Sequence, residues 1–412
     1  MNQLRERLAK LSPEQQQLLL ARLNQKRSRT AGNPALPDAA PTSGRYDHDA
    51  VTMDFSLLFF SGDGSQNSAD KYEFLLECVR FADQHDFRAV WTPERHFQTF
   101  GGLFPNPSVL SAALAMITEQ IQIRAGSVVV PMHHPVRLAE EWAVVDNLSK
   151  GRVGISLASG WSRADFTLAP DNYAARREIA FRNLDLIQRL WAGETVEFPG
   201  VDQTPFPVSV LPRPIQRRLP IWITASSAGS DSWEKAGELG ANVFTAMLGT
   251  PDELRPCIER YRGARAAHGH APEKGLVSVM MHTFIGEDEQ DVKTRVKAPL
   301  CRYLEKFIAQ DDVLEQGRSG VSKADLNERD RQDMTLLAFE RYFQNSGLLG
   351  TPDKCADMVA WMHDAGVGEI ACLVDFGADH DGIRVGLEHL GRLNARYRPD
   401  ARVRGKSEVR TS

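Results

Sequence analysis

The segment from Ile121 to Ala158 constrains the fold more than any other. Ile121–Val130 is an apolar run, and Pro135 then opens a helix with Leu138, Trp142, Val145 and Leu148 at spacings of three and four. A Ser149-Lys150-Gly151-Arg152 turn feeds a second apolar run, Val153–Ala158. Two strands joined through a helix are neighbours only in a parallel sheet.

The same alternation runs through the chain from Met53. Strands are expected at 54–60, 88–91, 121–130, 153–158, 221–225, 241–245, 276–285 and 369–376. Helices are expected at 72–81, 109–117, from Pro135, 179–191 and 232–239, with Gly240 ending the last of these. Eight parallel strands separated by helices predict an α/β fold of the TIM (β/α)8 type over residues 51–396, and the 412-residue length suits such a barrel with insertions. Trp161–Arg177, Thr195–Leu219 and 310–331 exceed ordinary connections. Residues 1–50 read differently. Leu4, Leu8, Leu11, Leu18, Leu19 and Leu23 are spaced for one helical face, and a Pro/Gly-rich linker follows. This stretch is either a disordered extension or a small helical docking element. Residues 397–412 read as a flexible tail.

Composition narrows the function. A net charge of −5 and a pI near 6.2 give no basic face for nucleic acid. Cys78, Cys257, Cys301, Cys355 and Cys372 form no Cys-x-x-Cys pair, so they read as reduced thiols, with neither a disulfide frame nor a metal site. No apolar run approaches the roughly 20 residues of a membrane span. With no secretory signal either, a cytoplasmic location is expected.

In a barrel, chemistry gathers where strands end. Thr92-Pro93-Glu94-Arg95-His96-Phe97 follows the second strand, which makes Glu94, Arg95 and His96 the catalytic candidates. Ser226-Ser227-Ala228-Gly229-Ser230 follows the fifth and leads into a helix, with Asp231 as expected N-cap and Glu234 three residues on, as in a capping box. Small residues before free N–H groups suit a phosphate. Ser127, in the third strand, and Ser159-Gly160, after the fourth, are small enough to let a planar ring lie across the mouth. His134 is expected only as a hydrogen-bonding partner at a helix start. No Gly-x-Gly-x-x-Gly stands between a strand and a helix, so a nicotinamide fingerprint is missing.

Taken together, Trp91 to Phe97 (Trp-x-x-Glu-x-His-Phe), Asn106-Pro107, His134-Pro135 to Arg152, Ser159-Gly160-Trp161 and the Ser226–Ser230 loop resemble the bacterial-luciferase family of flavin-dependent monooxygenases, from about Met53 to Gly377. The resemblance implies FMN at the C-terminal ends of the strands. Its phosphate would lie on Ser226, Ser227, Gly229 and Ser230, and its ring beside Ser127, Ser159 and Gly160. It also implies a homodimer, and reduced flavin supplied by a separate flavin reductase. Luciferases carry two histidines after the glutamate. Here the first position is Arg95, so light emission is not expected. The Trp-Thr-Pro-Glu-Arg-His-Phe form, with Leu11-Ser12-Pro13-Glu14-Gln15 similar to helical linkers of nonribosomal peptide synthetases, resembles the subgroup of nonribosomal peptide and polyketide assembly lines. That subgroup oxygenates substrates often held on a carrier protein, and residues 1–28 would contact such a partner. The alternatives are an F420-dependent oxidoreductase on the same barrel, and a non-catalytic flavin-binding scaffold.

Overall fold

The computed structural model describes residues 51–62, 69–247, 249–315 and 328–398, together with His48. Apart from His48, the expected extension over residues 1–50 lies outside them, as does the expected tail beyond Arg398.

Eight strands close a parallel barrel: β1 (Asp54–Leu58), β2 (Ala89–Thr92), β3 (Gln122–Val129), β4 (Val153–Ala158), β5 (Ile221–Ala225), β6 (Asn242–Ala246), β7 (Val277–Ile285) and β8 (Glu369–Leu373). Asp54 to Leu58 pair in register with Glu369 to Leu373, which joins the last strand to the first. The expected TIM barrel is the fold observed. Around it run α1 (Glu73–Gln84), α2 (Pro107–Ala115), α3 (Pro135–Ser149), α4 (Arg176–Ala192), α5 (Ser232–Glu238), α6 (Pro251–Ala267), α7 (Glu289–Glu315), α8 (Glu328–Arg341), α9 (Pro352–Asp364) and α10 (His380–Tyr397).

Local chemistry sets the element ends. Helix α2 starts two residues before its expected position. There the Asn106 side chain accepts from the N–H groups of Ser108 (2.9 Å) and Val109 (3.1 Å), and Pro107 occupies the first turn. Helix α3 ends with Lys150 in the left-handed region, φ 60°, followed by Gly151 at φ 83°. Strand β7 outruns its neighbour. Its residues 278–282 pair with β8, and Thr283–Ile285 are left to pair with a short additional strand, Leu348–Gly350. Thr195–Leu219 holds an antiparallel hairpin, Val196–Pro199 with Pro205–Val208, which lies against the start of α3: the Phe198 and His134 rings are 5.4 Å apart.

The N-terminal half of the barrel is closed by a buried polar plug. Arg124 (β3) donates to both oxygens of Glu369 (β8), at 3.0 and 2.7 Å. Ser56, Ser278 and the Trp91 indole also donate to that carboxylate. The Trp91 and Trp222 rings flank the guanidinium at 4.9 and 4.3 Å. With this end filled, the opposite rim is where loops can present chemistry.

Candidate active site

Glu94 is the hub of that rim. It follows β2, and its N–H donates to the carbonyl of Ser127 on β3 (3.1 Å). Its fully buried carboxylate accepts the Val129 N–H on Oε2 (2.7 Å). Oε1 is shared by two histidines, His133 Nε2 at 2.7 Å and His96 Nε2 at 3.1 Å. Burial pushes the Glu94 carboxyl up, but the His133 and His96 hydrogen bonds outweigh it and leave it below the usual carboxylate range. For His133, burial works against charge and the Glu94 contact reverses the balance, so its pKa is raised.

Arg95 turns to other neighbours. Its guanidinium lies over Phe60 (4.5 Å) and Phe100 (5.1 Å), and Nε donates to the Phe100 carbonyl at 3.3 Å. It is buried, which lowers its pKa, while the fields of Tyr303, Asp165 and Asp375 favour its charge. Asp375, just past β8, accepts the N–H groups of Phe60, Ser61 and Gly62 and so ties down the segment under Arg95. Asp165, after β4, acts electrostatically on both Arg95 and His96, and burial raises its own pKa.

Ser127 Oγ lies 2.5 Å from Thr224 Oγ1, which is 2.8 Å from Ser156 Oγ, so hydroxyls run across β3, β5 and β4 inside the mouth. Ser159 and Gly160 follow β4. Gly160 has φ 81°, and a Cβ there would meet Phe166 at 2.6 Å and Val129 at 2.7 Å. Close packing alone therefore requires glycine at 160. At Gly229 a Cβ would meet nothing within 4 Å.

The Ser226–Ser230 loop is held by Trp233 Nε1 and the Ser230 N–H, each donating to the Ser227 carbonyl at 3.1 Å. Ser226 to Gly229 are exposed. The expected capping box is not formed. Asp231 makes no side-chain cap and pairs with Arg177, and Glu234 pairs with Arg260 at 3.3 Å. Two arginines thus drew both acids away, and Ser230 Oγ accepts from the Ser232 N–H instead (3.1 Å). Arg260 also donates to the Ala228 carbonyl. His134 likewise makes no cap.

The catalytic candidates Glu94, Arg95 and His96 and the flavin-site candidates Ser127, Ser159, Gly160, Ser226, Ser227, Gly229 and Ser230 thus all lie toward the C-terminal ends of β2 to β5. Sequence reasoning missed His133, Thr224, Arg177 and Arg260. The adjacent His133-His134 pair was a signal, but which ring turns inward depends on the single 3-10 turn Val130–Met132 before it. Trp161, after β4, is 36% exposed; Phe59 and Phe244 are buried, and Phe244 stacks on Trp91.

The barrel is closed below and carries at its rim a buried carboxylate, two histidines and an exposed loop of small residues. The profile of the luciferase-like monooxygenases matches residues 53–369, and the chain belongs to that family. It is 25% identical over 346 residues to the oxygenase component of the flavin-dependent trigonelline monooxygenase of Acinetobacter baylyi, covering 82% of this chain and 93% of that one. The crystal structure of the monooxygenase RslO1 from Streptomyces bottropensis is 26% identical and superposes with a TM-score of 0.62, over 82% of this chain and 98% of that one. An F420-dependent secondary alcohol dehydrogenase has the same fold, with 15% identity and a TM-score of 0.61, over 82% of this chain and 98% of that one. Among the described residues no helix is long and apolar enough to cross a membrane, and all five cysteines are free.

Proposed function

We propose that the chain is the oxygenase of a two-component FMN-dependent monooxygenase. A separate flavin reductase supplies the reduced flavin. The substrate is a small or carrier-tethered acyl or peptidyl molecule in natural-product biosynthesis, of the nonribosomal peptide or polyketide kind. The carrying observation is the shared rim: Glu94 is hydrogen-bonded to β3 at Ser127 and Val129 and holds His96, with the open Ser227–Ser230 loop after β5. The related trigonelline enzyme, itself an oxygenase component, supports the division of labour.

The residues present fit FMN. The space above Gly229 lets a phosphate approach the backbone, Ser226, Ser227 and Ser230 offer hydroxyls, and Arg177 and Arg260 stand close by. Ser127, Ser159 and Gly160 give the ring small neighbours. When bound and reduced, FMN supplies the two electrons that activate O2. The protein's own part is positional and electrostatic. Arg95 provides a buried positive charge for an anionic ring or a substrate carboxylate. Glu94 fixes the His96 ring by Nε2, which leaves Nδ1 to hold or give a proton at the mouth. Trp161 and Phe97, both exposed at the rim, shield the site from water once a ligand lies against them.

Residues 1–28 recruit the synthetase or carrier protein, and the enzyme works as a cytoplasmic homodimer. The deciding experiment supplies enzymatically reduced FMN and 18O2 with extracts of carrier-bound substrates. A product gaining one 18O atom supports the reading. Turnover with F420 under anaerobic conditions, or a product without label, rejects it in favour of the deazaflavin enzyme. Pathway oxidation unaffected by Arg95 and His96 substitutions rejects it in favour of a scaffold.

A further inference from the structure

We propose that His133 is the outer end of a proton relay, His133–Glu94–His96, joining solvent to the mouth of the barrel. The inference rests on the oxygenase reading and adds to it the route by which protons arrive. Three features carry it. The two Nε2 atoms meet on one carboxylate oxygen, at 2.7 and 3.1 Å. That carboxylate has no exposed side-chain surface, so its proton exchange with water runs through the rings. The rings differ in access, with 25% of the His133 side chain exposed against 11% for His96. His133 lies beyond β3, on the turn into α3, whereas His96 lies on the loop after β2. The relay therefore crosses the rim from one strand end to the next.

The need for a proton follows from the reaction. One oxygen atom of O2 enters the substrate, and the other leaves as water after gaining two electrons and two protons. Reduced flavin supplies both electrons. When that flavin enters as its monoanion, one of the protons must come from the protein. The transfer balances without any other co-reactant. His133 accepts a solvent proton at Nδ1 and releases its Nε2 proton to Glu94 Oε1. Oε1 passes a proton to His96 Nε2, and His96 releases its Nδ1 proton into the mouth. Only N–H and O–H bonds form and break. His133 begins as the Nε2–H tautomer donating to Oε1, and His96 as the Nδ1–H tautomer. Each ends as the other neutral tautomer, so that His96 Nε2–H becomes the donor to Oε1, and exchange with water restores the starting pair. The charges around the path are Glu94 and, from α3, Glu141 at His133, with Glu94 and Asp165 at His96 and Arg95 close to Asp165. Glu94 and Glu141 favour the protonated His133 ring, which keeps the outer ring able to take up a proton.

The test uses the full-length protein labelled with 15N at histidine. In the wild type the His96 Nε2 resonance is expected to shift in step with protonation of His133, and in Glu94→Gln the two rings titrate independently. Independent titration in the wild type overturns the relay, whatever the activity. In a second arm, His133→Asn and His133→Gln are loaded with reduced FMN and mixed with O2. Flavin reoxidation is expected to slow by about tenfold or more, with a larger solvent deuterium effect, unchanged FMN affinity, and recovery on adding imidazole. Wild-type rates in both variants, or a loss that imidazole does not restore, overturn the proposal. If no substrate gains oxygen, the oxygenase reading falls alone, because the coupled titration is measured without substrate or flavin.

Discussion

Arg124 and Glu369 face each other across the barrel interior, on β3 and β8, with two hydrogen bonds of 3.0 and 2.7 Å. Burial raises the Glu369 carboxyl, and Arg124 together with its hydrogen bonds overcomes that and lowers it below its ordinary value. A lowered folded pKa stabilises the fold above the unfolded value of about 4.3, and that stability is lost as pH falls through the folded pKa. Removing one partner leaves a buried charge alone, at a cost of about 3–5 kcal/mol. Glu369→Ala is therefore expected to lose that much in urea unfolding at pH 7. Arg124→Met with Glu369→Met should recover most of it. A double variant as unstable as the single one would mean that the pair contributes more than mutual neutralisation.

Gly160 and Gly229 separate packing from ligand access. Gly160→Ala places a Cβ against Phe166 and Val129 at φ 81°, and should cost about 1–3 kcal/mol in stability. Gly229→Ala meets no protein atom, so thermal unfolding should not change. If the FMN phosphate approaches the backbone there, flavin affinity falls by about tenfold, or 1.4 kcal/mol. Equilibrium dialysis of both variants checks this. Unchanged affinity in Gly229→Ala would place the phosphate elsewhere.

His282 predicts an acid-sensitive core. The ring is buried among Tyr303 (4.5 Å), Tyr342 (5.4 Å) and Phe376 (5.5 Å), and its Nε2 has no hydrogen-bond partner. Burial lowers its pKa to about 3. Unfolding releases a histidine with a pKa of about 6.5, so the unfolded chain binds the extra proton first. Stability from this group is full above pH 6.5 and declines as pH falls toward 3. His282→Phe should flatten the stability profile between those limits in denaturant titrations. An unaltered slope would assign the acid sensitivity to other groups.

What could be read from the sequence was local. The eight barrel strands carry apolar runs bounded by turn residues, and the parallel order follows from the helices between them, so both were visible without coordinates. The extra strand Leu348–Gly350 was not. It is three residues long and exists because β7 outruns β8, a mismatch of lengths far apart in the chain. The rim followed the same division. Glu94, His96 and the serine loop were legible as candidates because they stand where strands end. The pairing of His133 with Glu94 spans 39 residues and depends on how the chain turns after β3. The expected capping box did not form: Arg177 from α4 pairs with Asp231 and Arg260 from α6 pairs with Glu234, which no local motif encodes.

Arg95 is where this chain departs from the luciferase pattern, and its substitution separates electrostatic from structural roles. The side chain is packed between Phe60 and Phe100, so truncation alone would disturb the rim. Arg95→Met keeps much of the apolar stem and removes the charge; Arg95→Lys keeps a charge but lacks the planar face that stacks on rings. If the guanidinium serves an anionic reduced flavin, Arg95→Met should weaken reduced FMN by about tenfold and oxidised FMN far less. For a two-electron couple, a tenfold change in that ratio lowers the midpoint potential of bound flavin by about 30 mV. Arg95→Lys should fall between wild type and Arg95→Met. Potentiometric titration of the three proteins measures this directly. Equal weakening of both flavin states, with an unmoved potential, would reduce Arg95 to a packing residue and leave His96 and Glu94 to carry the chemistry.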